Sequence, residues 1–219
     1  VSKNIVSKKI KTAAKMRALK VIRTRINNDQ QKYGLAYGNL YGTRIEDEEI
    51  SFALNDVYKV HAVYESENDS DASPPYIVLT ESTFFDNGTV IIGKTSGARG
   101  RVIQFINSTL RLYYVQLNEI PFAAGEAVEG VDDDGIPLSA FVDDAEGSVF
   151  RGSKVITTQF TLDPGQKAHY YDVCKISRYP QYTPPIRKML IIFDYFIHES
   201  SGDYFSAQSY TGIAYKEIP

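Results

Sequence analysis

The chain has one cysteine, Cys174, no tryptophan, and three widely separated histidines in 219 residues. A lone cysteine excludes an internal disulfide framework and a cysteine-based zinc site, and three distant histidines make no histidine-rich metal site. Apolar runs are short. None approaches the ~20 residues of a membrane helix, and mean hydropathy is −0.26, so no membrane span is expected. No charged, apolar and small-residue succession marks a signal peptide. The chain starts at Val1 rather than methionine, as expected of a processed chain or a piece of a longer one. What is present is an ordinary globular mix, 43% hydrophobic and 23% charged, which excludes wholesale disorder. Sixteen Tyr and eleven Phe favour strands.

Charge is segregated. Residues 1–25 hold nine Lys or Arg and no acid, which leaves 15 bases against 27 acids, a net −12, for the rest. A basic arm on an acidic body points to a partner for the arm. Within it Ile10, Ala13, Met16, Leu19, Ile22 and Ile26 recur every three or four residues. That spacing predicts an amphipathic helix within residues 1–28, whose apolar stripe needs a surface to pack on. Its own body or a sister chain is the expected surface, ahead of nucleic acid or a membrane.

Beyond residue 29 the texture is β. Tyr and Gly alternate over 33–42, residues 50–54 alternate cleanly, and 57–64 (VYKVHAVY) reads as a core strand. Short strands at 89–92, 101–106 and 110–117 suggest a self-contained β unit over 84–131, inserted into a body made of 29–83 and 132–219. Further strands are expected at 154–162, 169–176, 189–197 and 207–215. The predicted fold is therefore mainly β: an antiparallel sandwich or barrel body, a small inserted β-barrel and an N-terminal amphipathic helix. The acidic turns at 132–135 and 143–144 lack EF-hand spacing and read as solvated turns.

Residues 88–95 (GTVIIGKT) match the phosphate-loop pattern GxxxxGK[ST], and 190–194 (LIIFD) offer a matching acidic strand. The physics disagrees. Val90, Ile91 and Ile92 favour extended pairing, and two glycines in 96–100 oppose the helix whose N-terminus would face a phosphate. His169, Asp172 and Cys174 make no cysteine site, because His169 and Asp172 point to opposite faces of a strand. No catalytic, cofactor or metal residues are assigned, and the chain is read as a non-enzyme.

The segment 85–102 (FDNGTVIIGKTSGARGRV) resembles a "GxxIxGxTSGAxGxV" motif of structural proteins in tailed marine bacteriophages. Residues 122–130 (FAAGEAVEG) resemble its companion, "FxxGExVxG", which closes the same small barrel, with Gly97 and Gly100 as turn glycines. Residues 41–45 with 50–57, 160–172 (FTLDPGQKAHYYD), and 190–195 with 202–206 and 209–210 are similar to flanking segments of that family. The resemblance covers 33–219. It implies a virion component of the tail, baseplate or fibre base of a cyanophage-type contractile-tailed phage, made in the host cytoplasm. Its partners would be copies of itself or neighbouring virion proteins, and it implies no catalytic residue. The alternative is a receptor- or carbohydrate-binding module, with or without depolymerase activity, that stacks sugars on Tyr179 to Tyr182 or Tyr33 to Tyr41.

Overall fold

The computed structural model describes residues 7–22, 44–167, 172–199 and 201–218. Among these residues fifteen strands run β1 Lys11–Val21, β2 Glu49–Ser51, β3 Val57–Glu65, β4 Tyr76–Val78, β5 Val90–Gly93, β6 Arg99–Ile106, β7 Arg111–Gln116 and β8 Ala127–Val131. They continue as β9 Pro137–Phe141, β10 Val149–Phe150, β11 Lys154–Val155, β12 Phe160–Asp163, β13 Lys175–Arg178, β14 Met189–His198 and β15 Tyr210–Thr211. The chain is mainly β, and the helical pieces among the described residues are 3₁₀ turns of three residues.

Three sheets form, ordered β11-β3-β14-β1-β15, β10-β4-β7-β6-β5-β8-β9 and β12-β13-β2. Among the described residues the strand pairings are antiparallel except β1 with β15. The five-stranded sheet is covered on both faces, which explains the unbroken burial of Met189, Leu190, Ile191, Ile192, Phe193 and Asp194 in β14. On one face Ile191 and Phe193 join Ile50 and Ile176 of the three-stranded sheet. On the other, Leu190 and Ile192 meet Ile103 and Val115 of the seven-stranded sheet. A third core, with Phe85, Ile91, Leu112 and Val128, fills the inside of the seven-stranded sheet.

Two expectations are corrected. No sheet closes into a barrel. The seven-stranded sheet curls until Leu79 and Val142 meet in one isolated bridge. Thr80 N–H donates to the Phe141 carbonyl and Asp143 N–H to the Val78 carbonyl, both at 2.9 Å. Its strands run from Tyr76 to Phe150, wider than the 84–131 read from the sequence.

The second correction is the N-terminal helix: Lys11–Val21 is a strand, paired with β14 from Lys11↔His198 to Val21↔Met189. Its Ala, Lys, Met and Leu residues are good helix formers, but an apolar β14 needs a strand on each side, and that long-range demand overrides propensity. A strand also splits the supposed stripe. Met16 packs toward the seven-stranded sheet while Leu19 packs toward the three-stranded one.

Candidate functional site

The segment that spells a phosphate loop is the β5–β6 hairpin. Gly93 and Ala98 close it, with Gly93 N–H donating to the Ala98 carbonyl at 2.9 Å and Gly97 N–H to the Gly93 carbonyl at 2.9 Å. Gly97 sits at φ +72° with open space around it, where a side chain meets backbone strain rather than a clash. Gly100 is not a turn residue. It lies in β6, where a Cβ would come within 2.7 Å of the Tyr114 ring.

The N–H groups of the turn are already occupied. Glu126 Oε2 accepts from Thr95 N–H (3.1 Å) and Ser96 N–H (2.9 Å), and Oε1 accepts from the Ser96 hydroxyl (2.8 Å) and Ala123 N–H (2.6 Å). The residue is 5% exposed. Burial pushes its carboxyl up, but hydrogen bonds from Ala123, Ser96 and Thr95 outweigh burial and hold it below the usual carboxylate range. An internal carboxylate thus fills the anion cradle. Lys94, which a phosphate would need, pairs instead with Glu129 at 2.8 Å. Sequence reasoning singled out the glycines here and missed Glu126. Its signal was the acid after Gly125 in FAAGE, legible only once its turn partner is known.

The basic arm is fastened to the body by carboxylates far along the chain. At Asp194 both neighbouring strands bulge, β1 between Ala14 and Arg17 and β3 across His61. There Asp194 Oδ1 accepts Met16 N–H at 2.6 Å, and Oδ2 lies 2.7 Å from His61 Nε2. Met16 adopts φ +55° to make this bond, a conformation uncommon for a side-chain-bearing residue. Lys11 pairs with Asp56 at 2.7 Å, Lys15 with Asp133 at 3.4 Å and Lys20 with Asp71 at 2.8 Å.

Of the six stripe residues, Met16 is buried and Ile10, Ala13 and Leu19 are half-buried. Ile22 is 40% exposed. Ile26 lies outside the described residues, as do His169 and the Tyr33 to Tyr41 platform. The stripe is therefore not one docking face.

The other candidates serve the fold or lie open. Cys174 is buried, accepts Val57 N–H and donates to the Pro164 carbonyl, each at 3.1 Å; burial pushes its thiol up. Asp132 Oδ1 caps its own turn through Asp134 and Ile136 N–H. No metal-holding cluster occurs among the described residues. Tyr179 and Tyr182 are exposed on one turn.

Several exposed apolar side chains, beside the charged Arg99 and Glu129, lie on the outer face of β5, β8 and β9. Ile92 pairs with Glu129, and Val131 with Pro137. Ile92, Val131 and Phe141 are 43%, 55% and 55% exposed there, with Ile136 at 56% in the adjoining turn. A broad groove of about 810 Å³ runs across this face.

Compared with known proteins, the chain matches no family model, no curated protein and no solved structure. Among the described residues no helix is long and apolar enough to cross a membrane.

Proposed function

We propose that the chain is a structural assembly module of a phage particle, in the tail, baseplate or fibre base, with a β-sandwich body and no catalytic role. The observation that carries assembly is the β5–β8–β9 face. Val131 on β8 and Phe141 on β9 are more than half exposed, and large apolar side chains left open on neighbouring strands cost solubility unless another chain covers them. Three buried carboxylates are spent inside the fold rather than on this face: Glu126 on its hairpin, Asp194 and Asp56 on β1.

The virion assignment rests on the motif resemblance. One physical feature supports treating its two parts as a unit: Glu126 of FAAGE ties directly to the TSGA turn. Light scattering of the full chain over a range of concentrations tests assembly. The reading expects a discrete oligomer that a Val131→Asp/Phe141→Asp variant reduces to monomer. A monomer in both, at every concentration, overturns self-assembly through this face.

A second reading, glycan binding, has one observation in its favour, the exposed Tyr179–Tyr182 pair. Aromatic faces of this kind stack on sugars. Glycan-array binding lost on Tyr179→Ala would favour it. A silent array leaves assembly as the sole reading.

A further inference from the structure

We propose that Lys11 and Asp56 condense into a side-chain amide, with His198 carrying a proton, so that the first residue of β1 is welded to the residue before β3. This does not depend on the virion reading.

Four observations converge. Lys11 Nζ lies 2.7 Å from Asp56 Oδ2, with the two side chains only 6% and 4% exposed. His198 Nε2 hydrogen-bonds to the same Oδ2. Aromatic rings cover the pair, since Nζ stands 4.5 Å from the Phe205 ring centroid and 5.5 Å from that of Tyr210. A cavity of about 120 Å³, lined by both Lys11 and Asp56, adjoins them.

Each observation meets a chemical requirement. Burial keeps bulk water from the pair, so that nothing competes with Nζ for the carboxyl carbon or hydrolyses the product. Fixed contact turns a bimolecular condensation into a unimolecular one. Asp56 cannot swing away easily: it is held at φ +57°, and its carbonyl accepts Phe196 N–H at 3.1 Å. The imidazole supplies general acid–base catalysis at the leaving oxygen. The cavity has room for the water released, which needs about 30 Å³.

In the reaction the Nζ–Cγ bond forms and the Cγ–Oδ2 bond breaks. Nζ gives up two protons, and both leave on Oδ2 as water. One crosses the Lys11–Asp56 hydrogen bond; the other is carried by His198. Both charges disappear, and no oxidant or reductant is needed. The product crosslinks residues 45 positions apart and closes a loop that the unfolded chain would otherwise leave open.

Intact-mass spectrometry of the purified full chain is the test. The expected result is a mass one water below that of the sequence, with a branched peptide joining Lys11 to Asp56 after proteolysis. Lys11→Arg keeps the charge but lacks the primary amine, so it restores the full mass. His198→Gln slows closure after refolding by about a hundredfold. A folded wild-type chain that keeps its full mass after prolonged incubation at neutral pH overturns the proposal. So does a water loss that persists in Lys11→Arg or maps to another residue. The branched peptide decides the matter in the wild type alone, should a variant fail to fold.

Discussion

The seven-stranded and five-stranded sheets are built by opposite routes. In the first, β5 to β6, β6 to β7 and β8 to β9 are joined by short turns, so these five strands each find one partner close in sequence, and only β4 and β10 at the sheet's end depend on distant pairing. In the second, β1 pairs with β14 across most of the chain, Lys11 with His198 and Val21 with Met189. The buried carboxylates follow the same division. Glu126 is satisfied by donors 3 to 31 residues away in sequence. Asp194 takes a backbone donor from 178 residues away. Local sheets are written in turn chemistry, whereas distant ones are written in what the partner strand lacks.

Substitutions can break that contrast, and the largest effect is expected at Asp194. Asp194→Ala leaves Met16 N–H and His61 without their buried acceptor. It should cost about 3–5 kcal/mol in urea unfolding. Amide exchange should rise across β1 and β3 before it rises in β5 to β9. A loss below about 1 kcal/mol would remove Asp194 as the clamp of the long-range sheet.

Glu126→Ala should cost about 2–3 kcal/mol, with faster exchange confined to residues 95–98 and 123. The pH dependence sharpens this. Because the folded-state carboxyl is held below its ordinary value, its stabilisation is full above the unfolded pKa. It is lost as pH falls through the lower folded value. Glu126→Gln should flatten that acid limb of the stability curve, and an unchanged limb would contradict the cradle.

The two glycines give a smaller pair of effects with different causes. Gly100→Ala drives a methyl into Tyr114 and should cost about 1–3 kcal/mol. Gly97→Ala meets only backbone strain and should cost about 1–2 kcal/mol. If thermal unfolding reverses their order, the close approach at Gly100 is not what constrains β6. Smallest of all, Lys94→Ala removes an exposed pair with Glu129 and should leave the unfolding midpoint unchanged.

These differences track how much the sequence reveals. Strand β5 was legible because Val90, Ile91 and Ile92 are β-branched between turn residues, and a strand was also expected at 189–197, where β14 lies. The hairpin turn at Gly97 was legible too. The strand nature of Lys11–Val21 was not, since its residues carry helix propensity and a three-residue period. Nothing local in them reports that β14 leaves an edge to be filled. Gly100 illustrates the same limit: its letter suggests a turn, and only the neighbouring Tyr114 ring explains it. Asp194 and Asp56 were invisible as clamps because their partners meet them only in the folded chain. The open barrel is a matter of closure, which strand spacing alone does not set.

The claim on which the rest stands is that the basic N-terminal segment is an integral strand held inside the body. Amide hydrogen exchange on the full chain tests it most directly. If β1 is paired with β14 along its length, those of its amides that face β14 should be protected to the same degree as those of Ile191 and Ile192 in β14. Exchange over Lys11–Val21 at free-peptide rates, with β14 still protected, would contradict it and return the segment to a detachable arm.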